Sequence, residues 1–411
     1  MKQFGPIPPG FAARDGELVI GGRTASDLAH EAGDTPLFVY DFALVKARIA
    51  ALRAALPAEV ALHYAVKANP FPPLVAAMVG EVDGLDVASG GELARALQAG
   101  KAAHAISFAG PGKRDAELAA ALEAGVIINL ESEGEAHRAL SIAKEMHVKP
   151  HLAVRVNPDF DLRGSGMKMG GGAKPFGVDA ARVPDLVRSL FQAGADWRGF
   201  HIFAGSQALD AAAVAEALAA SVSLTAKLAT EIGEAPPHVN LGGGFGIPYF
   251  AGDAPLDVRE VGAQLSAVLA PRPEALAATT FSLELGRYLV GEAGVYLTRI
   301  LDKKVSHGET FLITDGGLHH QLAASGNFGT VVRRNYPVAI ASRFGAPPED
   351  VVTITGCLCT PLDRLADSVH LPEAEVGDLV ALFMAGAYGA SASPQAFLAH
   401  PPAREILINH D

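Results

Sequence analysis

The sequence predicts a (β/α)8 barrel joined to a separate β-domain. Three features of the pattern point there. Eight short β-rich runs fall within the first 290 residues, Ala-, Leu- and Glu-rich stretches with helical spacing lie between them, and the remainder is rich in strands and poor in helices. The eight runs are 61–66, 84–88, 105–109, 127–130, 152–156, 199–204, 238–241 and 280–283. Helical patterns occupy 91–99, 115–124, 133–146 and 210–232. Alternation of this kind builds βαβ units on a parallel sheet, and eight units close into a barrel of about 250 residues. The span 36–285 has that length. A doubly wound sheet is the alternative reading of the same alternation. The runs 17–22, 295–305, 311–314, 351–356, 378–384 and 405–408 assign 286–411 to the β-domain. Residues 1–35 join it, because an isolated hairpin is not stable alone.

Composition narrows the function. The chain has 411 residues, 49% of them hydrophobic, and a formal net charge of −12. That apolar content excludes a disordered chain, and the charge argues against a nucleic-acid partner. The two cysteines, Cys357 and Cys359, exclude a disulfide framework and fit a reducing compartment. A zinc site would need more Cys or His at ligand spacing. The pair His319-His320 is the only near cluster, so no metal is expected. No run of 18 uncharged apolar residues occurs, and residues 1–6 lack the apolar core of a signal peptide. A cytoplasmic enzyme without a membrane partner is expected.

The active site of such a barrel lies at the C-terminal ends of its strands. Strand one ends in Tyr64-Ala65-Val66-Lys67-Ala68-Asn69, strand two in Asp86-Val87-Ala88-Ser89 and strand five in Arg155-Val156-Asn157. Strand six runs from His201 into Gly205-Ser206, strand seven ends in Gly242-Gly243-Gly244-Phe245-Gly246, and strand eight ends in Glu284-Leu285-Gly286-Arg287. A lysine desolvated at a strand end is a Schiff-base nucleophile; a snorkelling surface lysine is the plain alternative for Lys67. Glycines at 242–244 let backbone N–H groups approach a phosphate, or they simply form a turn. Arg287 offers a charge-assisted contact to the same phosphate, or a surface ion pair. Glu284 is placed to keep a ring nitrogen protonated, or to pair with Arg287 or Arg155. A lysine for an aldehyde, glycines and arginine for a phosphate and a carboxylate for a pyridinium together describe pyridoxal 5′-phosphate (PLP).

These motifs resemble the fold-type III PLP-dependent decarboxylases, which include diaminopimelate, ornithine and arginine decarboxylases. The resemblance covers nearly the whole chain. It is carried by His63-Tyr64-Ala65-Val66-Lys67-Ala68-Asn69, Asp86-Val87-Ala88-Ser89 with Glu92, Gly242-Gly243-Gly244-Phe245, Glu284 with Gly286-Arg287-Tyr288, Cys359 with Asp363, and Gly386-Ala387-Tyr388-Gly389. It implies an alanine racemase-like barrel plus β-domain and a homodimer with shared active sites. It implies Lys67 as the Schiff-base lysine, Glu284 as the pyridinium partner, and Ser206, Gly243, Gly244, Arg287 and Tyr388 as the phosphate grip. Asp86, Arg155, His201 and Phe203 complete the cofactor contacts it implies. Cys359, offered by the other subunit, would return a proton to the substrate carbon after carbon dioxide leaves.

The departures bear on substrate. Phe203 stands where diaminopimelate decarboxylases carry a second histidine that stacks on the cofactor. Thr360 replaces the acidic residue after the catalytic cysteine, and Ala323 stands in place of the arginine that binds the substrate's distal carboxylate. His319, His320, Thr360 and Asp363 remain as candidate substrate contacts. An amino acid or amino-acid conjugate other than meso-diaminopimelate is therefore expected. With Gly164-Ser165-Gly166-Met167-Lys168-Met169-Gly170-Gly171-Gly172 and Gly326-Asn327-Phe328-Gly329, the pattern is most similar to the decarboxylases associated with exosortase A systems. The 164–172 segment reads as a loop near the site, or as a plain linker. Two other functions use the same parts. A racemase of this fold tends to face the pyridine nitrogen with a cation, against which Glu284 argues. A non-catalytic PLP-binding regulator would be expected to lose Lys67 or the phosphate grip.

Overall fold

Eight apolar strands, Val60–Ala65, Gly84–Val87, Ile106–Phe108, Ile127–Leu130, His151–Asn157, Asp196–Ile202, His238–Gly243 and Thr280–Leu285, pair in parallel in chain order. The ring closes where the eighth strand pairs with the first, Leu283 opposite Leu62 and Glu284 opposite His63. This is the predicted (β/α)8 barrel, seen in a computed structural model that describes residues 1–326 and 333–410. Asn327, Phe328 and Gly329 of the 326–329 motif lie outside the described residues. Strands of a parallel barrel are covered on both faces, so they read as continuous apolar runs rather than alternating ones. Gly84–Val87 and Ile106–Phe108 accordingly have no exposed position.

Helices cover the ring, and their starts follow from capping chemistry. Ser89 accepts from the Glu92 N–H, Ser132 from the Glu135 N–H, and Asp210 from the N–H groups of Ala212 and Ala213. Helix Ala211–Ile232 has the length and composition of a membrane-crossing helix. Instead it buries Val214, Leu218, Val222 and Leu228 within the protein. Strand six begins at Asp196, three residues before the expected start, because Gly199 lies inside it at a register shift. Gly199 has φ +108, and a Cβ there would collide with the His238 carbonyl. The glycine that looks like a strand boundary is the residue that lets strands six and seven approach.

The chain divides into two compact units. One holds Ile49–Ile247 and Pro255–Gly286; the other holds Met1–Arg48, Pro248–Ala254 and Arg287–Asp411. The second unit is built on the long strand Gly294–Ser306. That strand pairs antiparallel with Leu37–Asp41, Glu309–Thr314 and Leu379–Leu382. The N-terminal strands Ala12–Arg14, Glu17–Ile20 and Arg23–Thr24 form a small antiparallel sheet. Leu18, Ile20 and Leu28 are fully buried against Leu37, Val295, Leu297 and Phe383 in one apolar cluster. That burial is why the N-terminal segment completes the β-domain.

Candidate active site

Lys67 sits in a tight turn, Val66–Ala68, directly after strand one. Its Nζ lies 2.9 Å from Glu284 Oε1. Glu284 is on strand eight, and its other oxygen accepts from His201 Nε2 at 2.8 Å. The Lys67 side chain is 43% exposed and that of Glu284 4%. The desolvated member of the pair is thus the carboxylate, not the ammonium. Burial raises the Glu284 carboxyl, but the Lys67 ammonium and the His201 hydrogen bond outweigh it and hold the group well below the usual carboxylate range. His201 is 2% exposed; with Nε2 donating to the carboxylate, its buried Nδ1 has no partner among the described residues. The Lys67 ammonium also stands 5.1 Å from the ring centroid of Phe203, just past the end of strand six.

Beneath this trio lies a polar layer. His63 Nδ1 meets Asp86 Oδ2 at 3.0 Å, and Asn240 Nδ2 donates to Asp86 Oδ1 at 3.4 Å. Burial lowers the His63 pKa, but Asp86 outweighs it, and the net direction is upward. His238 stacks on His63 with centroids 6.0 Å apart and bonds the hydroxyls of Thr280 and Ser282, both at 2.9 Å. Burial and the neighbouring His63 push His238 down to about 4.

The glycine run is required whether or not an anion binds. Gly242 and Gly244 have φ +73 and +84, and a Cβ on each would stand 2.5 Å from the carbonyl oxygens of Ile202 and Gly205 respectively. A Cβ on Gly243 would collide with the Glu284 carbonyl. Ser206 lies beside the 164–172 segment: Met167 and Lys168 pair with Ser206 and Gly205 in a short antiparallel ladder. The N–H groups of Met169 and Gly170 bond the Ala204 carbonyl. Arg155 is engaged elsewhere in the barrel. Its guanidinium donates to Glu131 Oε1 at 2.8 Å and lies 5.0 Å from the Phe176 ring.

The other unit gathers the remaining candidates into two groups. In the first, the Arg287 guanidinium lies 4.9 Å from the Tyr388 ring centroid and 5.9 Å from that of Tyr249. In the second, Cys359 is exposed, while Asp363 is buried and spends its oxygens on the N–H groups of Leu318 and Leu358, at 2.7 and 2.9 Å. Gly317 and Gly356 both pack on that carboxylate, leaving no room for a Cβ. Thr360 Oγ1 accepts from the Leu362 N–H. His320 is buried with both nitrogens used, by the Tyr296 hydroxyl and the Pro401 carbonyl. His319 is fully buried, and neither of its nitrogens has a hydrogen-bond partner among the described residues.

Sequence reasoning missed Asn240, His238, Tyr249 and His400. Asn240 and His238 carry only the signal of polar residues inside an apolar strand. Tyr249 and His400 sit in loops with no signal at all.

The donor set in the barrel fits PLP: an amine, a desolvated ionised carboxylate and an aromatic ring converge at the strand ends. Comparison with known proteins agrees. Residues 42–291 match the family model described as pyridoxal-dependent decarboxylase, pyridoxal binding domain. The chain is 38% identical to an L-glutamyl-[BtrI acyl-carrier protein] decarboxylase of Niallia circulans, over 91% of this chain and 89% of that one. It is 33% identical to a diaminopimelate decarboxylase of Aquifex aeolicus, over 100% of this chain and 94% of the relative. The crystal structure of diaminopimelate decarboxylase from M. jannaschii in complex with L-lysine superposes with a TM-score of 0.88 at 26% identity, covering 97% of this chain and 92% of that one. The chain belongs to the pyridoxal-dependent decarboxylase family and is a carboxy-lyase that works with pyridoxal phosphate.

Proposed function

We propose that the protein decarboxylates an amino acid whose distal end is masked in a conjugate, rather than free meso-diaminopimelate. The observation that carries the catalytic part is Glu284, buried, ionised and held between Lys67 and His201. PLP, when bound, supplies a ring that stabilises negative charge at the substrate Cα as carbon dioxide leaves. Lys67 would hold the cofactor at its aldehyde carbon, and Glu284 would keep a proton at the ring nitrogen. His201 fixes the Glu284 carboxylate through its Nε2–H. Phe203 offers an aromatic face for stacking, and Asp86 backs this layer through His63 and Asn240. Ser206, Gly243, Gly244, Arg287 and Tyr388 would take the phosphate. Cys359, contributed by the second subunit of a homodimer, would deliver the proton to Cα.

The substrate part rests on residue chemistry. A free diaminopimelate needs partners for a distal ammonium and a distal carboxylate, and each desolvated charge without one is costly. Thr360 offers a hydroxyl that already accepts from Leu362, and Ala323 offers no polar side-chain atom. The Niallia circulans relative is named for a glutamyl group on a carrier protein, which supports an amino acid presented as a conjugate. The motif pattern supports membership of the exosortase A-associated subgroup and a cytoplasmic setting.

Three outcomes are expected. Lys67→Ala removes the borohydride-sensitive visible absorbance of the bound cofactor and lowers activity by several orders of magnitude; a variant that keeps that absorbance refutes the lysine assignment. Mixing inactive Lys67→Ala with inactive Cys359→Ala chains restores about a quarter of wild-type activity, since half the dimers are mixed and each carries one intact site. No recovery despite demonstrated subunit exchange refutes the shared site. In steady-state kinetics, meso-diaminopimelate is turned over at least about a hundredfold less efficiently than by a true diaminopimelate decarboxylase, because two charge-assisted contacts are gone. A glutamyl thioester on a carrier protein is tested beside it. A kcat/KM for diaminopimelate near or above ~10⁴ M⁻¹s⁻¹ contradicts the substrate reading.

A further inference from the structure

Three loops of the β-containing unit bring His319, Cys357 and His400 together, a set that the pairwise sequence spacing conceals. His319 follows strand Glu309–Thr314, Cys357 follows strand Asp350–Thr355, and His400 ends the short helical turn Phe397–Ala399. One ligand atom of each lies within 4.8 Å of the others. Cys357 Sγ is 3.9 Å from His400 Nε2 and 4.0 Å from its Nδ1, and the His319 and His400 rings are 5.1 Å apart.

The second observation is the state of His319. Its ring is completely buried, and neither nitrogen has a hydrogen-bond partner among the described residues. Buried polar groups are nearly always paired, so an imidazole with both nitrogens orphaned is missing a ligand. The adjacent His320 does not compete for that role, because the Tyr296 hydroxyl and the Pro401 carbonyl occupy both of its nitrogens.

We propose that His319, Cys357 and His400 form a binding site for a zinc-class divalent ion. Two imidazoles and one thiolate are the ligand types such an ion prefers, and no carboxylate belongs to the set, which disfavours magnesium and calcium. Zn–N distances of about 2.0–2.1 Å and a Zn–S distance of about 2.3 Å put tetrahedral ligand atoms roughly 3.3–3.7 Å apart. Contraction from 4.8 Å needs side-chain rotation of about an ångström and no change of fold. Cys357 binds as thiolate: its proton passes to solvent, and its contact with the Asp315 carbonyl at 3.5 Å is given up. Three protein ligands leave the fourth position open to water or a small anion. The ion ties together three loops of one unit, one residue away from the backbone of Leu358 and two from Cys359.

The test uses untagged full-length protein, stripped with chelator and then equilibrated with zinc chloride alone. One zinc per chain is expected, measured by elemental analysis after dialysis. His319→Ala, Cys357→Ser and His400→Ala each lower zinc affinity by more than about 100-fold, since even outer partners of metal ligands are worth 10–100-fold. Cys359→Ser retains the zinc. The chain has two cysteines, so a second readout is direct. Zinc protects Cys357, and not Cys359, from alkylation mapped by peptide mass. His400 is only half-buried, so its variant keeps the test informative if His319→Ala fails to fold. Wild-type protein that binds no more zinc than Cys357→Ser, or zinc that leaves Cys357 fully reactive, overturns the proposal.

Discussion

A buried carboxylate kept ionised is the constraint on which the barrel's active end depends. Glu284 loses its water on folding, and the Lys67 ammonium and the His201 N–H compensate. Three strands must be in register to supply them. Closure of the ring sets strand eight beside strand one, with Glu284 opposite His63 and Leu285 opposite Tyr64, and that brings the turn carrying Lys67 to the carboxylate. His201 comes from strand six and reaches Glu284 past strand seven. Strand seven lies close to strand eight because Gly243, the residue paired with Glu284, has no side chain; a Cβ there would collide with the Glu284 carbonyl. The glycine run is therefore a packing requirement first, and any role toward a phosphate is added to it.

A second buried ionic network stiffens the opposite part of the same rim. Lys113, fully buried, donates to Glu135 at 2.7 Å and to the carbonyls of Asn129 and Gly110. Glu131 takes Arg155 and the N–H groups of Gly110 and Gly177. Burial raises the Glu131 carboxyl, but Arg155 and Lys113 outweigh it and keep it ionised. Removing one partner from such a network leaves an unpaired buried charge, so it fixes the geometry of strands three to five more than it adds stability. Asp363 acts similarly in the other unit by holding two loops through backbone N–H groups.

Much of this was legible in the sequence because parallel strands are written as apolar runs and helix starts as Ser or Asp caps. All eight barrel strands lie where the runs predict, within a few residues, and helices Asp115–Ala124 and Glu133–Met146 match their patterns end to end. The start of strand six moved because period and propensity do not register a bulge such as Gly199. Lys67, His201 and Glu284 were readable as polar residues at the ends of apolar strands. Their mutual contact was not, since residues 67, 201 and 284 meet only through barrel closure. Cys357 and His319 could not be paired from the sequence either, because only the folding of the loops in the other unit brings them together. His400 lies 43 residues past Cys357 in a loop without periodicity, and the fold alone supplies the third member.

The most direct test of the central claim is the rate of carbon dioxide release by Glu284→Ala with pyridoxal phosphate bound. The substitution leaves Lys67 in place but removes the desolvated negative charge proposed to hold a proton at the ring nitrogen. Full cofactor loading with a kcat lowered by at least about 10²–10³-fold is the predicted result, the scale on which one preorganised electrostatic contact acts. A fully loaded variant whose kcat stays within tenfold of wild type would contradict the account.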